Sequence, residues 1–387
     1  MNLELTEEQK LIQDTARDFA VAELEPLAAG YDNGEDLQPF YDNLLKLAEL
    51  GFMGLNVREE YGGTEAGVVA FSVALTEVAR ACASTAVTLS VTNMVGEVIQ
   101  AIGTDAQKQK YLPKLCSGEY LAGAFGLTET GAGSDPAGMT TTAVLDGDQW
   151  VLNGSKIFIT SAPYAGVFVV WAVTDKEARK GKGISCFLVE AGTDGLVIGK
   201  KEDKMGQHAS ATNELLFQDC RIPKDALMGK LNDGFRIAVA ELAGGRIGVG
   251  SLGLGIGMAA IDYASRYALE RKQFDQPIAN FQAIQWKIAD SYTELEAARL
   301  LLMNAACKKE QGKPFAKEAS MAKMYATESA NRACYEAIQI LGGYGYTRDF
   351  PVERFARDAR ITSIYEGTSE VQRLIIAREI LGGLSQG

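Results

Sequence analysis

Trp150-Val-Leu-Asn-Gly-Ser-Lys-Ile-Phe-Ile-Thr160 breaks the helical periodicity that precedes it. β-branched and aromatic residues flank Asn153-Gly154, a dipeptide that supplies the positive φ angles of a type I′ turn, so the stretch reads as a hairpin. Asp146-Gly147 and Asp194-Gly195 mark further turns, while Gly166–Thr174 and Ile184–Glu190 read as strands. Residues 119–222 are therefore expected to form a small, middle antiparallel β domain.

Outward from this block the chain is helical on both sides. In residues 1–118, Thr6-Glu7-Glu8-Gln9 fits a capping box, followed by Leu11, Ile12, Thr15, Ala16, Phe19 and Ala20 at helical spacing. Pro26 stops that run. A second helix runs to Gly51, and others are expected near 67–80, 86–102 and 105–116. In residues 223–387 the prolines after Pro223 are Pro277, Pro314 and Pro351, spaced as punctuation between long helices. That pattern predicts an antiparallel four-helix bundle. The expected class is α+β, mostly α: an N-terminal helical domain, the β domain, and the bundle.

Composition narrows the function classes. The 387 residues carry 38 Lys+Arg against 50 Asp+Glu, a net charge of −12, and non-specific nucleic-acid binding needs a basic face. With 47% apolar and 23% charged residues, the chain has the balance of a globular protein. No apolar run is expected to reach the roughly 20 residues of a membrane span. The start, MNLELTEEQK, has neither signal-peptide nor transit character, so a cytoplasmic location is expected. The six cysteines form no CxxC pair, and His208 is the single histidine. A histidine-built zinc site is excluded, no metal is expected, and His208 reads as a rim or packing residue.

Several segments could carry chemistry. Thr128-Glu-Thr-Gly131-Ala-Gly133-Ser134-Asp135 is either an ordinary turn or a cradle whose backbone N–H groups meet an anion; it lacks the βαβ setting of a Rossmann fingerprint. Seven glycines between 244 and 257 cost a helix about 1 kcal/mol each relative to Ala, so close approach of another helix or of a ligand must offset them. Arg246 lies among them. Gln339-Ile-Leu-Gly342-Gly343-Tyr-Gly345-Tyr346 reads as a helix C-cap, and Arg271-Lys-Gln273-Phe274 as a helix end. In Tyr365-Glu366-Gly367-Thr368-Ser369-Glu370, Ser369 or Thr368 can cap a helix. Glu366 there is either a surface carboxylate or a general base beside a glycine turn.

Taken together, LTETGAGSD (127–135), WVLNGSKIFIT (150–160), ALERKQF (268–274), QILGGYGY (339–346) and IYEGTSEVQRLIIAR (364–378) resemble the acyl-CoA dehydrogenase family, in that family's order, over about residues 3–382. The resemblance implies short- or branched-chain acyl-CoA dehydrogenation in fatty or amino acid catabolism. It also implies non-covalent FAD, a homotetramer, and reoxidation by an electron-transfer flavoprotein. Phe125, Leu127, Thr128, Gly133 and Ser134 would line the flavin, with Ser134 near the pyrophosphate or the CoA arm. Phe158 and Thr160 would pack on the flavin. Arg271, Gln273 and Phe274, with Gln282, Gln339 and Gly343, would reach the FAD of a neighbouring subunit, and Thr368 and Glu370 would close the adenosine side. Arg246 and Gly367 would help hold the acyl-CoA, with Thr92 and Leu252 at the floor and wall of the acyl pocket. The family's base stands either at the Glu of the YEG motif, here Glu366, or at the position of Gly245, which has no side chain. Glu366 is thus the expected base and flavin N5 the hydride acceptor. Ala243 replaces an acidic residue common in the family. The same scaffold run as an enoyl-CoA reductase or an acyl-CoA oxidase is the alternative.

Overall fold

The computed structural model describes residues 4–384; the first three residues of the stretch read above for targeting character, and the last three of the chain, lie outside the described residues. The first helical block comprises α1 (Glu7–Phe19), α2 (Ala28–Asp32), α3 (Gln38–Glu49), α4 (Val68–Ala81), α5 (Ala83–Ile102) and α6 (Asp105–Cys116). The capping box at Thr6 is present, its hydroxyl accepting from Gln9 N–H while the Gln9 side chain accepts from Thr6 N–H. After α1 the chain widens into a π turn over Ala20–Leu24 and then tightens into a 3-10 turn, Glu25–Leu27, that carries Pro26.

Eight strands follow in one sheet: β1 (Ala122–Gly126), β2 (Thr142–Asp146), β3 (Gln149–Thr160), β4 (Ala165–Val173), β5 (Ile184–Glu190), β6 (Leu196–Lys201), β7 (Thr212–Pro223) and β8 (Leu227–Met228). The spatial order is β6-β7-β3-β2-β4-β5-β8, with β1 beside β4. Most pairs are antiparallel, as expected, but β1 runs parallel to β4, and Thr142 of β2 pairs in parallel with Val173. The Asn153-Gly154 hairpin is corrected by the structure. β3 runs unbroken through that dipeptide, and the β2–β3 turn is made by Gly147 at φ 65. Gly154 instead marks a bulge against β7, with φ 142. A Cβ there would lie 2.6 Å from Thr141 Oγ1 and 2.7 Å from Thr141 Cα, so close backbone approach, not a turn, demands the glycine. Asn153 is spent on β7: its Oδ1 accepts from Asp219 N–H, and its Nδ2 donates to the Asp219 carboxylate.

The C-terminal block begins with α7 (Gly234–Glu270), passes a two-stranded ribbon of β9 (Lys272–Gln273) and β10 (Gln276–Pro277), and continues as α8 (Gln282–Glu310), α9 (Ala316–Leu341), the short α10 (Val352–Arg360) and α11 (Ser369–Leu384). By length and composition α7 would pass for a membrane span, which corrects the expectation that no such run exists. Yet 78% of its most apolar window is buried inside the protein, as befits the central helix of a bundle. Its glycines explain the packing. A Cβ at Gly257 would stand 2.9 Å from Ala330 Cα, one at Gly253 3.2 Å from Thr327 Cγ2, and one at Gly250 3.4 Å from Lys323 Cα, so α9 lies against α7 almost backbone to backbone. The helical core and the sheet's own core meet where α5 and the start of α7 pack on β1, β4 and β5, through Val95, Ile99, Val169, Trp171 and Ile237. The candidate site lies beside that seam.

Candidate active site

Glu366 occupies the turn that leads into α11. Its φ is 53°, followed by 96° at Gly367. A non-glycine residue persists in this left-handed region only where its surroundings hold it. Here the Gly367 carbonyl accepts from Lys323 Nζ and from Gln372 Nε2, each at 2.8 Å. The residue as a whole is half-buried, but its Oε2 is fully sequestered and has no hydrogen-bond partner. Burial pushes the carboxyl up to about 7, against the opposing charges of Lys323 and Arg246. A group so placed titrates near neutrality and is free to accept a proton.

Across from it stands Gly245 of α7. A Cβ at that position would press into Glu366 Oε2 and come 2.9 Å from Met94 Sδ. The two chain positions weighed for the base therefore converge on one point in space, and the missing side chain at one makes room for the carboxylate of the other. Gly245→Ala tests this. Alanine should suit the helix better by about 1 kcal/mol, yet the displaced carboxylate should cost on the order of 10²-fold in turnover, as misplacement by about 1 Å does. Wild-type turnover in a folded Gly245→Ala enzyme would overturn the placement.

Two cations lie under the carboxylate. Arg246 is buried, its Nη1 3.5 Å from Ser320 Oγ and its Nε without a partner. Lys323 is fully buried on α9. Burial lowers both, Lys323 to about 8, while the Glu366 charge opposes that shift in each. One turn before Gly245, the Glu241 carboxyl is raised to about 7 by burial and by the Glu97 charge, while the charge of Lys309, which pairs with Glu97, works the other way. Ala243 is buried.

The β domain presents the second wall. The Thr128 carbonyl accepts from Ile157 N–H at 2.9 Å. The next residue, Phe158, sits at φ 60 where β3 slips register, and the residue is 60% exposed. Lys156, fully buried, donates to Leu127 O at 3.2 Å and to Glu129 Oε1 at 2.8 Å. Glu129 also accepts from Thr140 N–H, Thr140 Oγ1 and Thr141 N–H. Burial would raise this carboxyl, but the Lys156 charge and these donors hold it at about 2. The buried pair thus fastens the 127–129 loop to β3.

The structure brings some expected residues together and separates others. Phe125 packs against Trp171 with ring centroids 4.4 Å apart and the planes tilted by 46°. Leu127 is buried, Thr128 and Thr160 are half-buried, and Gly133 and Ser134 are exposed. A Cβ at Gly131 or Gly133 would meet nothing within 4 Å, so the loop's backbone faces open space. Buried polar atoms without a hydrogen-bond partner include Ser161 Oγ at the end of β3 and Tyr365 OH, Ser369 Oγ and Gln372 Oε1 around the Glu366 turn. Open glycine backbone with unsatisfied hydroxyl and amide groups suits a polar, phosphate-bearing cofactor. Thr368 caps α11, its Oγ1 accepting from Val371 N–H, beside exposed Glu370. Thr92 is buried and its hydroxyl accepts from Gly123 N–H, while Leu252 is buried two turns beyond Gly245. Arg271 follows the far end of α7, about 39 Å from Gly245 at 1.5 Å per residue, with Gln273 and Phe274 in the ribbon beyond it and Gln282 at the start of α8. Gln339 and Gly343 are near them, since the Arg271 guanidinium stands over the Tyr344 ring at 5.5 Å. Within one chain this second group does not reach Glu366.

Reading the sequence alone missed Lys323, Lys156 and Glu129. Lys323 falls on the small-residue stripe Ala319, Ala326, Ala330 of α9, and a lysine on such a face is the signal that could have found it. His208 is half-buried: its Nδ1 lies 2.9 Å from Asp32 O and 3.1 Å from Asp32 Oδ1, and its Nε2 2.6 Å from Lys204 O.

Comparison with known proteins matches the chain throughout. Family models described as acyl-CoA dehydrogenase N-terminal, middle and C-terminal domains match residues 6–119, 124–220 and 232–381. The short-chain specific acyl-CoA dehydrogenase of Mus musculus mitochondria is 48% identical over 98% of this chain and 92% of its own. The acryloyl-CoA reductase (NADH) of Anaerotignum propionicum is 47% identical over 98% of this chain and 96% of its own. The structure of butyryl-CoA dehydrogenase from Megasphaera elsdenii superposes with a TM-score of 0.95 at 43% identity, covering 98% of this chain and all of that one.

Proposed function

The chain belongs to the acyl-CoA dehydrogenase family, and from that premise we propose that Glu366 is the base in its FAD-dependent dehydrogenation of a short-chain acyl-CoA. The observation that carries the assignment is the sequestered, unpartnered Oε2 of Glu366, held in a left-handed turn against a position without a side chain. An α-hydrogen of a thioester is a weak acid, so its removal needs a desolvated base of raised proton affinity and stabilisation of the charge that develops. Burial supplies the first. Arg246 and Lys323, both cationic and both close to Glu366 in charge terms, supply positive potential for the second.

The residues on the β side fit FAD: the open backbone at Gly131 and Gly133, the Thr128 loop pinned by Lys156, and the exposed Phe158 would hold it. When bound, FAD accepts the β-hydrogen with its electron pair. The remote group at Arg271, Phe274 and Gln339 would serve a neighbouring subunit of a homotetramer, because no residue of its own chain near Glu366 lies within its reach. An electron-transfer flavoprotein is the proposed oxidant of the reduced enzyme.

The packing of α7 supports a short acyl chain. One turn beyond Gly245, a Cβ at Gly248 would lie 2.5 Å from Ser90 Oγ and 3.5 Å from the Phe71 ring, so side chains close that face early. Anaerobic mixing with a panel of acyl-CoA thioesters should bleach the flavin absorbance with C4 and short branched acyl groups and leave it nearly intact with C8 and longer. Stronger bleaching by the long chains would defeat the short-chain assignment. Faster reoxidation by oxygen or by an enoyl-CoA than by an electron-transfer flavoprotein would favour the oxidase or reductase reading.

A further inference from the structure

Lys323 is a fully buried lysine in the middle of α9, among Ala319, Ala322, Ala326 and Ala330. Burying an ammonium in such a setting is costly unless something on the protein uses it. Its single hydrogen bond goes to the Gly367 carbonyl, 2.8 Å away, and not to a carboxylate. Gln372 Nε2 meets the same carbonyl at 2.8 Å and the Glu366 carbonyl at 3.4 Å. These donors grip the two residues with φ of 53° and 96°. Gly250 of α7 has no side chain, which lets the α9 backbone at Lys323 come close enough for the ammonium to reach the turn.

We propose that Lys323 is a positioning residue for Glu366: its ammonium fixes the Gly367 carbonyl, and so the left-handed turn that aims the carboxylate, and its charge favours the ionised, proton-accepting form. The inference rests on Glu366 being the base.

Around the site, α7 contributes Arg246 and, one turn before Gly245, the Glu241 carboxyl; α5 contributes the uncharged Met94 and Glu97, which pairs with Lys309 of α8; the turn itself contributes the neutral Tyr365 phenol. Glu328 and Glu370 act on Lys323 from α9 and α11. Lys323 and Arg246 are thus the cations that oppose the effect of burial on Glu366.

The sign of the effect is fixed. Glu366 must be ionised to take a proton, so kcat/KM falls as pH drops through its value of about 7. Removing a facing positive charge moves that loss to higher pH. Lys323→Met and Lys323→Gln holoenzymes should shift the acid limb of kcat/KM upward by about one unit, which is roughly a tenfold loss at pH 6. Both should lower kcat more than they change acyl-CoA dissociation. Lys323→Arg, which keeps the charge, should restore the limb. If Lys323→Met does not yield FAD-loaded protein, the comparison of Lys323→Gln with Lys323→Arg decides. A limb that stays in place in a neutral, FAD-loaded variant, or that moves equally in Lys323→Arg, overturns the proposal. Glu366→Gln is run alongside: turnover surviving in that variant removes the base assignment itself, a failure distinct from an unmoved limb.

Discussion

Glu366→Gln should bind FAD and acyl-CoA as the parent does and lose turnover by about 10³-fold, the mid-range contribution of a positioned general base. Glutamine has nearly the same shape and keeps the turn's backbone bonds from Lys323 and Gln372 to Gly367. It cannot accept the α-proton. It also relieves the buried charge, so thermal stability should hold or rise, since a raised carboxyl pKa means the ionised group is disfavoured in the folded state. The measurement is single-turnover flavin reduction together with acyl-CoA titration. Loss of ligand binding in step with turnover would point to a structural role for Glu366, and reduction at the parent rate would end its candidacy.

Lys156→Met should be the most damaging single change to the fold near the site. It leaves the Glu129 carboxylate buried with its N–H and hydroxyl donors but without its counter-charge. Breaking a buried pair in this way costs about 3–5 kcal/mol. The damage is local as well as global, because Lys156 also holds the Leu127 carbonyl, and with it the Thr128 loop. FAD content should fall with the unfolding temperature. Lys156→Met combined with Glu129→Gln should be less destabilised than Lys156→Met alone, since the double variant leaves no unpaired charge. The pair also sets an acid limit: the Glu129 carboxyl titrates far lower in the folded protein than in the unfolded chain. Its contribution is present above the ordinary value of 4.5 and is lost as pH falls toward about 2. Equal stability of the single and double variants, or a loss under about 1 kcal/mol for Lys156→Met, would contradict this reading.

Both lysines show why part of the site was hidden in the sequence. On a strand and on a helix, Lys156 and Lys323 occupy the buried face of their elements, yet a lysine is read by default as a solvent residue. The Asn153-Gly154 dipeptide misled in the opposite direction. Its turn preference is a local free energy of small size, and the ladder formed by β3 with β2 and β7 overrides it. The glycines of α7 could be read as close approach, but only the packed helices show that Gly250, Gly253 and Gly257 serve α9 while Gly245 serves Glu366.

Local chemistry written in the chain determined the element types, the caps such as Thr6, the α–β–α order, and the identity of Glu366 as the carboxylate beside a glycine turn. These depend on neighbours a few residues away, whose effects survive in any context. The tertiary structure decided which charges surround that carboxylate, and that the Arg271 group lies too far along α7 to join it. Distances between residues hundreds of positions apart, and the loss of solvent that raises a buried carboxyl, arise only when the elements pack.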